Sequence, residues 1–176
     1  MNYLLRGTGV VTAVGVFSLL TFSLPSGEAH GDGGGNVLPR TINQAWQQEC
    51  ASCHLAYSPA FLPQASWRRL MNGLDRHFGE NASLDPATQA DILRFLEANA
   101  ADRGGSRIGS KVMKRMPAGE APLRITDTRW FVHKHDEVSQ SVWSRKSIGS
   151  TAHCAACHRQ AEQGVFDEDT VRIPKQ

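Results

Sequence analysis

Two stretches of this chain have residue types and spacing that could do chemistry: Cys50-Ala-Ser-Cys53-His54 and Cys154-Ala-Ala-Cys157-His158. They are copies of one pentapeptide, and together they hold all four cysteines of the chain. A disulfide framework would use four cysteines, but it gives no reason for a histidine directly after each pair. A redox dithiol of the thioredoxin kind explains one Cys-x-x-Cys rather than two with trailing histidines, and no βαβ pattern surrounds either copy. A zinc site built from two knuckles has a short spacer, whereas 100 residues separate Cys53 from Cys154. The remaining chemistry is covalent attachment of a c-type haem, for which Cys-x-x-Cys-His is the signature. Two thiols on a tight turn reach the two vinyl groups on one porphyrin edge and form thioethers. The adjacent imidazole of His54 or His158 then falls beneath the iron as proximal ligand. Two pentapeptides predict two covalently bound haem c groups.

The iron's sixth position decides what such a group does. Filled by a side chain, it exchanges electrons; left open, it binds or activates a small molecule. The chain has seven histidines. His54 and His158 are proximal, His30 lies in a glycine-rich leader, and His153 directly precedes Cys154, too close to cross to the far face of its own haem. His77, His133 and His135 remain. At helical periodicity His77 falls beside Leu70 on one edge of an apolar stripe and Met71 falls on the other, so spacing does not choose between them. Met116, followed by Pro117, is a third candidate for the first haem. His133 and His135 are two positions apart and face different ways on a helix, so one of them at most serves the second haem.

The elements that must position these groups read as mostly α. Thr41-Ile-Asn-Gln44 has the form of a capping box, with a helix running toward Cys50. Residues 55–65 carry two prolines and should form an irregular loop against the haem. Ser66 is expected to cap a helix striped by Trp67, Leu70, Met71, Leu74 and Phe78 and ended by Gly79. Asp85-Pro86 starts the next helix, with Ile92, Leu93 and Leu96 facing inward. Residues 103–123, with four glycines, two prolines and the cations Arg103, Arg107, Lys111, Lys114 and Arg115, read as a linker or surface loop. A short helix around Trp130 to His135, a second haem helix and an irregular tail after Phe166 complete the chain. The expected organisation is thus an N-terminal haem domain at 30–102, a basic linker at 103–123 and a C-terminal haem domain at 124–176. Only the pentapeptide recurs, so the two halves are not a duplication.

Residues 1–29 read as a secretory signal. Arg6 precedes a charge-free run from Gly7 to Leu24, Pro25 breaks it, and Gly27 and Ala29 place small side chains at a cleavage position. The alternative is an uncleaved anchor, because the run is 18 residues long. Its Thr, Ser and Gly content and its small-residue exit favour cleavage near Ala29 and a periplasmic product. The 176 residues carry a formal charge of +2, which loss of Arg6 and Glu28 leaves unchanged. That balance excludes an obvious nucleic-acid binder. Only 7% of residues are aromatic, thin for two protein cores, but each haem brings a large apolar disc. The ionised haem propionates also bring the loaded protein near neutrality when oxidised and make it mildly acidic when reduced.

Taken together, these residues resemble the exported dihaem cytochromes c of the DHC type. The resemblance spans most of residues 46–174. It includes Glu49-Cys-Ala-Ser-Cys-His54, the loop from Ala56-Tyr57 to Leu62-Pro63, Ser66-Trp67 with Met71, and His77-Phe78-Gly79 through Ala82-Ser83-Leu84-Asp85. In the second half it includes Pro122-Leu-Arg-Ile-Thr126, Trp130, Lys134-His135, the second pentapeptide, Ala161-Glu162 and Gly164-Val-Phe166. The family pattern has a further proline where this chain has Ser58. The resemblance implies an N-terminal domain similar to class I cytochromes c, a less regular C-terminal domain, and bis-histidine ligation with His77 and His135 as distal ligands. It also implies redox-protein partners: a small oxygen-binding monohaem cytochrome c and, upstream, a membrane cytochrome b. His77 would then follow His54 by 23 positions, whereas His135 would precede His158 by 23.

The expected function is an electron carrier with no small-molecule substrate. A haem peroxidase or reductase with one open iron, or a gas sensor with a labile ligand, is the rival. Dihaem peroxidases are much longer chains, and no separate substrate domain is legible here.

Overall fold

Helix α1 (Gln44–Cys50) starts at Asn43, whose side chain accepts from the Trp46 N–H, and ends as it delivers Cys50. The capping residue is therefore Asn43 rather than Thr41. The computed structural model describes residue 38 and residues 42–175. Thr41, His30, and the signal segment with its cleavage position lie outside the described residues. Asn43 also donates to Asp91 at 2.8 Å, and Trp46 packs on Phe95 with ring centroids 5.2 Å apart. These contacts lay α1 against α3 (Pro86–Ala98), which begins where Asp85 accepts from the Ala87 and Thr88 amides and Pro86 occupies the first turn. Ile92 and Leu96 of α3 are buried as expected, and Leu93 is half-buried.

Helix α2 differs from expectation at both ends. It runs Gln64–Met71, so Ser66 lies inside it, fully buried, rather than capping it. Its first amide, that of Gln64, is instead capped by the carboxylate of Asp102 at 3.0 Å, a partner 38 residues away. The apolar stripe predicted a helix to Phe78, but Asn72 and Gly73 end it, and Leu74–Arg76 form a separate 3-10 turn. Loop 55–65 contains one 3-10 turn, Pro59–Phe61, capped by Ser58, and Trp67 donates its indole N–H to the Pro59 carbonyl at 2.8 Å. The first core is Leu62, Trp67, Met71, Ile92, Leu96 and Ala100.

Residues 103–123 are not simply a linker. They contain helix α4 (Arg107–Lys114), capped by Ser106, with Ile108 and Val112 buried at 1% and 0% exposure. Burying two such side chains contributes about 1.5–3 kcal/mol each, which outweighs the helix-weakening effect of Gly109. That glycine is required by close approach: a Cβ there would stand 2.9 Å from the Ala101 carbonyl oxygen. Ile108 and Val112 join Leu38, Ala60, Phe61, Ala101, Trp130 and Phe131 in a second core that draws on both halves of the sequence. Helix α5 (Arg129–Lys134), capped by Thr128, and the one-turn α6 (Gln140–Trp143) follow. The second pentapeptide sits on a 3-10 turn, Cys154–Ala156, where a haem helix was expected. The tail beyond Phe166 is irregular apart from the turn Glu168–Thr170, and it is tied back by Arg172 N–H to the Cys157 carbonyl and by Arg145 to that of Pro174. Among the described residues there is no β-strand, only a single bridge between His77 and Glu80.

Candidate functional site

The chain presents two sites, each formed where a pentapeptide faces a distant histidine. At the first, Cys50 ends α1 and the turn that follows carries Cys53 and His54. Opposite stands His77, placed by the 3-10 turn 74–76 and a tight reversal in which Phe78 takes φ +55° and Gly79 φ +106°. A phenylalanine in the left-handed region costs on the order of 1–2 kcal/mol, and the strain lies directly beside the candidate ligand. The His54 and His77 ring centroids are 6.1 Å apart, with planes inclined by 25°. At the second site the His135 and His158 centroids are 6.2 Å apart, with planes inclined by 81°.

These distances have a chemical meaning. Two metal–imidazole bonds of about 2 Å, with the offset from each nitrogen to its ring centre, separate the centroids by about 6 Å. The hydrogen bonds agree with that arrangement. His54 Nδ1 lies 2.7 Å from the Leu55 carbonyl and His135 Nδ1 lies 2.9 Å from that of Phe131. A carbonyl only accepts, so Nδ1 carries the proton in both rings and Nε2 keeps its lone pair for a metal. His158 Nδ1 is buried without a partner. Burial lowers the proton affinity of His77, His135 and His158, with His54 and Arg124 adding to the effect at His77 and His135 at His158. Neutral imidazole is the ligand form. Burial also pushes the Cys50 and Cys154 thiols up to about 11, so they stay protonated, and all four cysteines are free.

The walls suit a porphyrin. Beside the second pentapeptide lies an open pocket lined by aromatic side chains including Phe61, Trp130, Phe131, Trp143 and Phe166, with His135 and His158 among its walls. Lys134 and Glu168, paired with each other, stand at its polar side. A second, open hollow borders Cys53 and His54 of the first pentapeptide. The second site therefore fits the group that its pentapeptide implies; at the first, the fit rests on the facing imidazoles and the free thiols.

The other candidates lie elsewhere. Met71 is buried in the first core, and its carbonyl accepts from Gln89. Met116 packs on the second core. His133 is exposed, 3.5 Å from Asp136. His153 Nδ1 bonds the Ile148 carbonyl at 3.0 Å, while the residue borders the second pocket. Two supporting residues were not singled out from sequence. Tyr57 stacks on His54 (5.0 Å, 23°) and donates its hydroxyl to the Ala152 carbonyl at 2.7 Å, joining the first site to the strand of chain that enters the second pentapeptide. Phe131 holds His135 by both ring and carbonyl. The spacing of Phe131 and His135, i and i+4 with His135 at the C-terminal cap of α5, is the available signal.

The sequence profile of the dihaem cytochrome c family matches residues 46–166. No curated protein matches the chain. Among solved structures it is similar to the dihaem cytochrome c from Rhodobacter sphaeroides, at 42% identity and a TM-score of 0.65, covering 72% of this chain and 98% of that one. It is also similar to the dihaem cytochrome c from Shewanella baltica OS155, at 38% identity and a TM-score of 0.62, covering 78% and 95%. The profile match and the identities agree with the all-helical architecture and the two pentapeptides: the chain belongs to the dihaem cytochrome c family, whose cofactors are two covalently bound haem c groups.

Proposed function

We propose that this protein passes single electrons between redox proteins in the periplasm through two six-coordinate, low-spin, bis-histidine haems. His54 and His77 ligate the first; His158 and His135 ligate the second. Cys50 and Cys53, and Cys154 and Cys157, make the thioethers. The observation that carries this reading is the pair of imidazole separations, 6.1 and 6.2 Å, each joining one pentapeptide histidine to one distant histidine.

When bound, each haem supplies a reversible one-electron couple at its iron. The chain's own residues do the rest. With haem bound, His77 and His135 would hold the sixth position and so exclude water, oxygen and peroxide. The Leu55 and Phe131 carbonyls hold the Nδ1 protons and so strengthen Nε2 as a donor. Nitrogen donors on both sides favour ferric iron, so both potentials should be low. The aromatic walls of the second pocket keep water away and limit reorganisation around a change of charge. Tyr57 fixes the two sites relative to each other through its bond to Ala152.

Residues 1–29 serve as the export signal in this reading. The haem-bearing halves, 30–102 and 124–176, are bridged by α4. Docking is weak and transient, because turnover requires release. The resemblance to the family supports a small oxygen-binding monohaem cytochrome c and a membrane cytochrome b as partners. Anaerobic reduction followed by carbon monoxide tests the reading: no fast, stoichiometric binding at either iron is expected, and such binding at one of them would make the protein a haem enzyme or sensor instead.

A further inference from the structure

The two pairs of imidazoles differ most in their angle, 25° against 81°. Each angle has a local cause. At the first site the His54 plane is near-parallel both to Tyr57 (23°), which is pinned by its hydroxyl, and to His77 (25°). At the second, one residue imposes both restraints on His135. The Phe131 ring lies against the imidazole with centroids 4.0 Å apart and planes 25° apart, and the Phe131 carbonyl accepts its Nδ1 proton at 2.9 Å. Phe131 is itself held firmly: it is 9% exposed, and its amide is capped by Thr128 Oγ1 at 3.1 Å. His158, with no Nδ1 partner, rests on Phe166 at 5.3 Å. The crossed geometry is therefore set from the His135 side.

We propose that Phe131 is a positioning residue that crosses the two imidazole planes at the second haem, and that this crossing makes the second haem the one reduced first. The inference rests on the bis-histidine reading above. An imidazole donates π-density perpendicular to its plane. Parallel rings load one iron dπ orbital and split the pair, which stabilises the ferric state. Crossed rings load one orbital each, leave the pair nearly degenerate and forgo that stabilisation, so the potential rises.

Other levers cancel, act in the same direction or, in one case, oppose the order from a screened position. Each pair has one ring that donates Nδ1–H to a backbone carbonyl, so hydrogen bonding does not separate the sites. His54 is exposed whereas His135 and His158 are both half-buried, and burial disfavours the more highly charged ferric centre. Lys134 and Glu168 at the second pocket are paired with each other and largely offset. Arg124 opposes the order: its guanidinium lies 4.0 Å over the ring of Phe78, next to His77, and a cation there raises the first potential. It is solvent-exposed, however, and its field is screened.

The test is electron paramagnetic resonance of the oxidised holoprotein at low temperature, combined with a redox titration. The wild type should give two low-spin signals, one rhombic and one with an unusually large maximum g-value, and the large-g signal should disappear first on stepwise reduction. In Phe131→Leu its maximum g should fall toward the rhombic value and the gap between potentials should narrow, with the first-site signal unchanged. Phe131→Tyr should keep the wild-type pattern. Two identical low-spin signals, earlier loss of the rhombic one, or an unmoved large-g signal in Phe131→Leu would overturn this inference while leaving bis-histidine ligation intact. A high-spin signal in the wild type would overturn the reading beneath it. If Phe131→Leu does not assemble, the wild-type titration still decides the order of reduction.

Discussion

The two haem sites reach the same imidazole separation by opposite routes. At the first, the histidine proposed as distal ligand follows its pentapeptide and is set on a strained reversal after a 3-10 turn. At the second, it precedes its pentapeptide and caps the C-terminal end of α5. The first site leans on a cytochrome-like α1–α3 pair and has an exposed proximal ring. The second has little helix of its own and is walled by aromatic side chains from both halves of the chain. The difference teaches that bis-imidazole ligation, as proposed, would fix only the distance between the rings. Ring angle, burial and surrounding charge are left free, and they are the quantities that can make two identical cofactors unequal.

Removing a distal ligand should break the comparison most sharply. His77→Ala should turn the first haem high-spin and open to carbon monoxide and leave the second low-spin; His135→Ala should do the reverse. Optical and paramagnetic spectra check both. His133→Ala should leave both haems low-spin, and a high-spin signal from that variant alone would move the second ligand to His133.

Next in size is a packing effect. Ile108→Ala empties part of the second core and should cost about 2–5 kcal/mol, read as a lower denaturation midpoint. A surface residue of a linker would show almost none of this. A smaller effect is expected at the joint between sites. Tyr57→Phe removes the hydroxyl bond to Ala152 and should cost about 1 kcal/mol, while the stacked ring and the low-spin first site persist. An unchanged midpoint would mean that the bond contributes nothing.

The smallest effect is on pH. Three rings, His77, His135 and His158, are held below their usual range by burial, while the unfolded chain titrates near 6.5. Below that value the unfolded state takes up protons that the folded state resists. This contribution is therefore complete above about pH 6.5 and is lost as pH falls toward the depressed folded values. Denaturant midpoints at pH 7.5 and 5.5 should fall in that order.

The attachment chemistry was legible because it is local: two thiols and an imidazole within five positions announce it. The start of α3 was legible for the same reason, with Asp85 and Pro86 adjacent. What could not be read depended on distant partners. Helix α2 is capped by Asp102 rather than by a neighbour, so Ser66 was misplaced. Asn72 and Gly73 interrupted a stripe whose apolar spacing ran on to Phe78. In the 103–123 stretch, composition hid the Ile108/Val112 pair, four apart, which marks the buried face of α4. Spacing left His77 level with Met71 and His133 level with His135. Only tertiary placement distinguishes a ring facing its partner at 6 Å from a side chain in a core or an ion pair at the surface. Ring angles lie further still from sequence, since they follow from side-chain rotamers.

Near-infrared magnetic circular dichroism of the oxidised holoprotein examines the account at its root, because the low-spin charge-transfer band reports the identity of the axial atoms. Two bis-imidazole centres, with neither a methionine-sulfur band nor a high-spin one, are what the paired histidines require. A sulfur-type or high-spin band from either iron would contradict nitrogen ligation at that site and, with it, the assignment of His77 or His135.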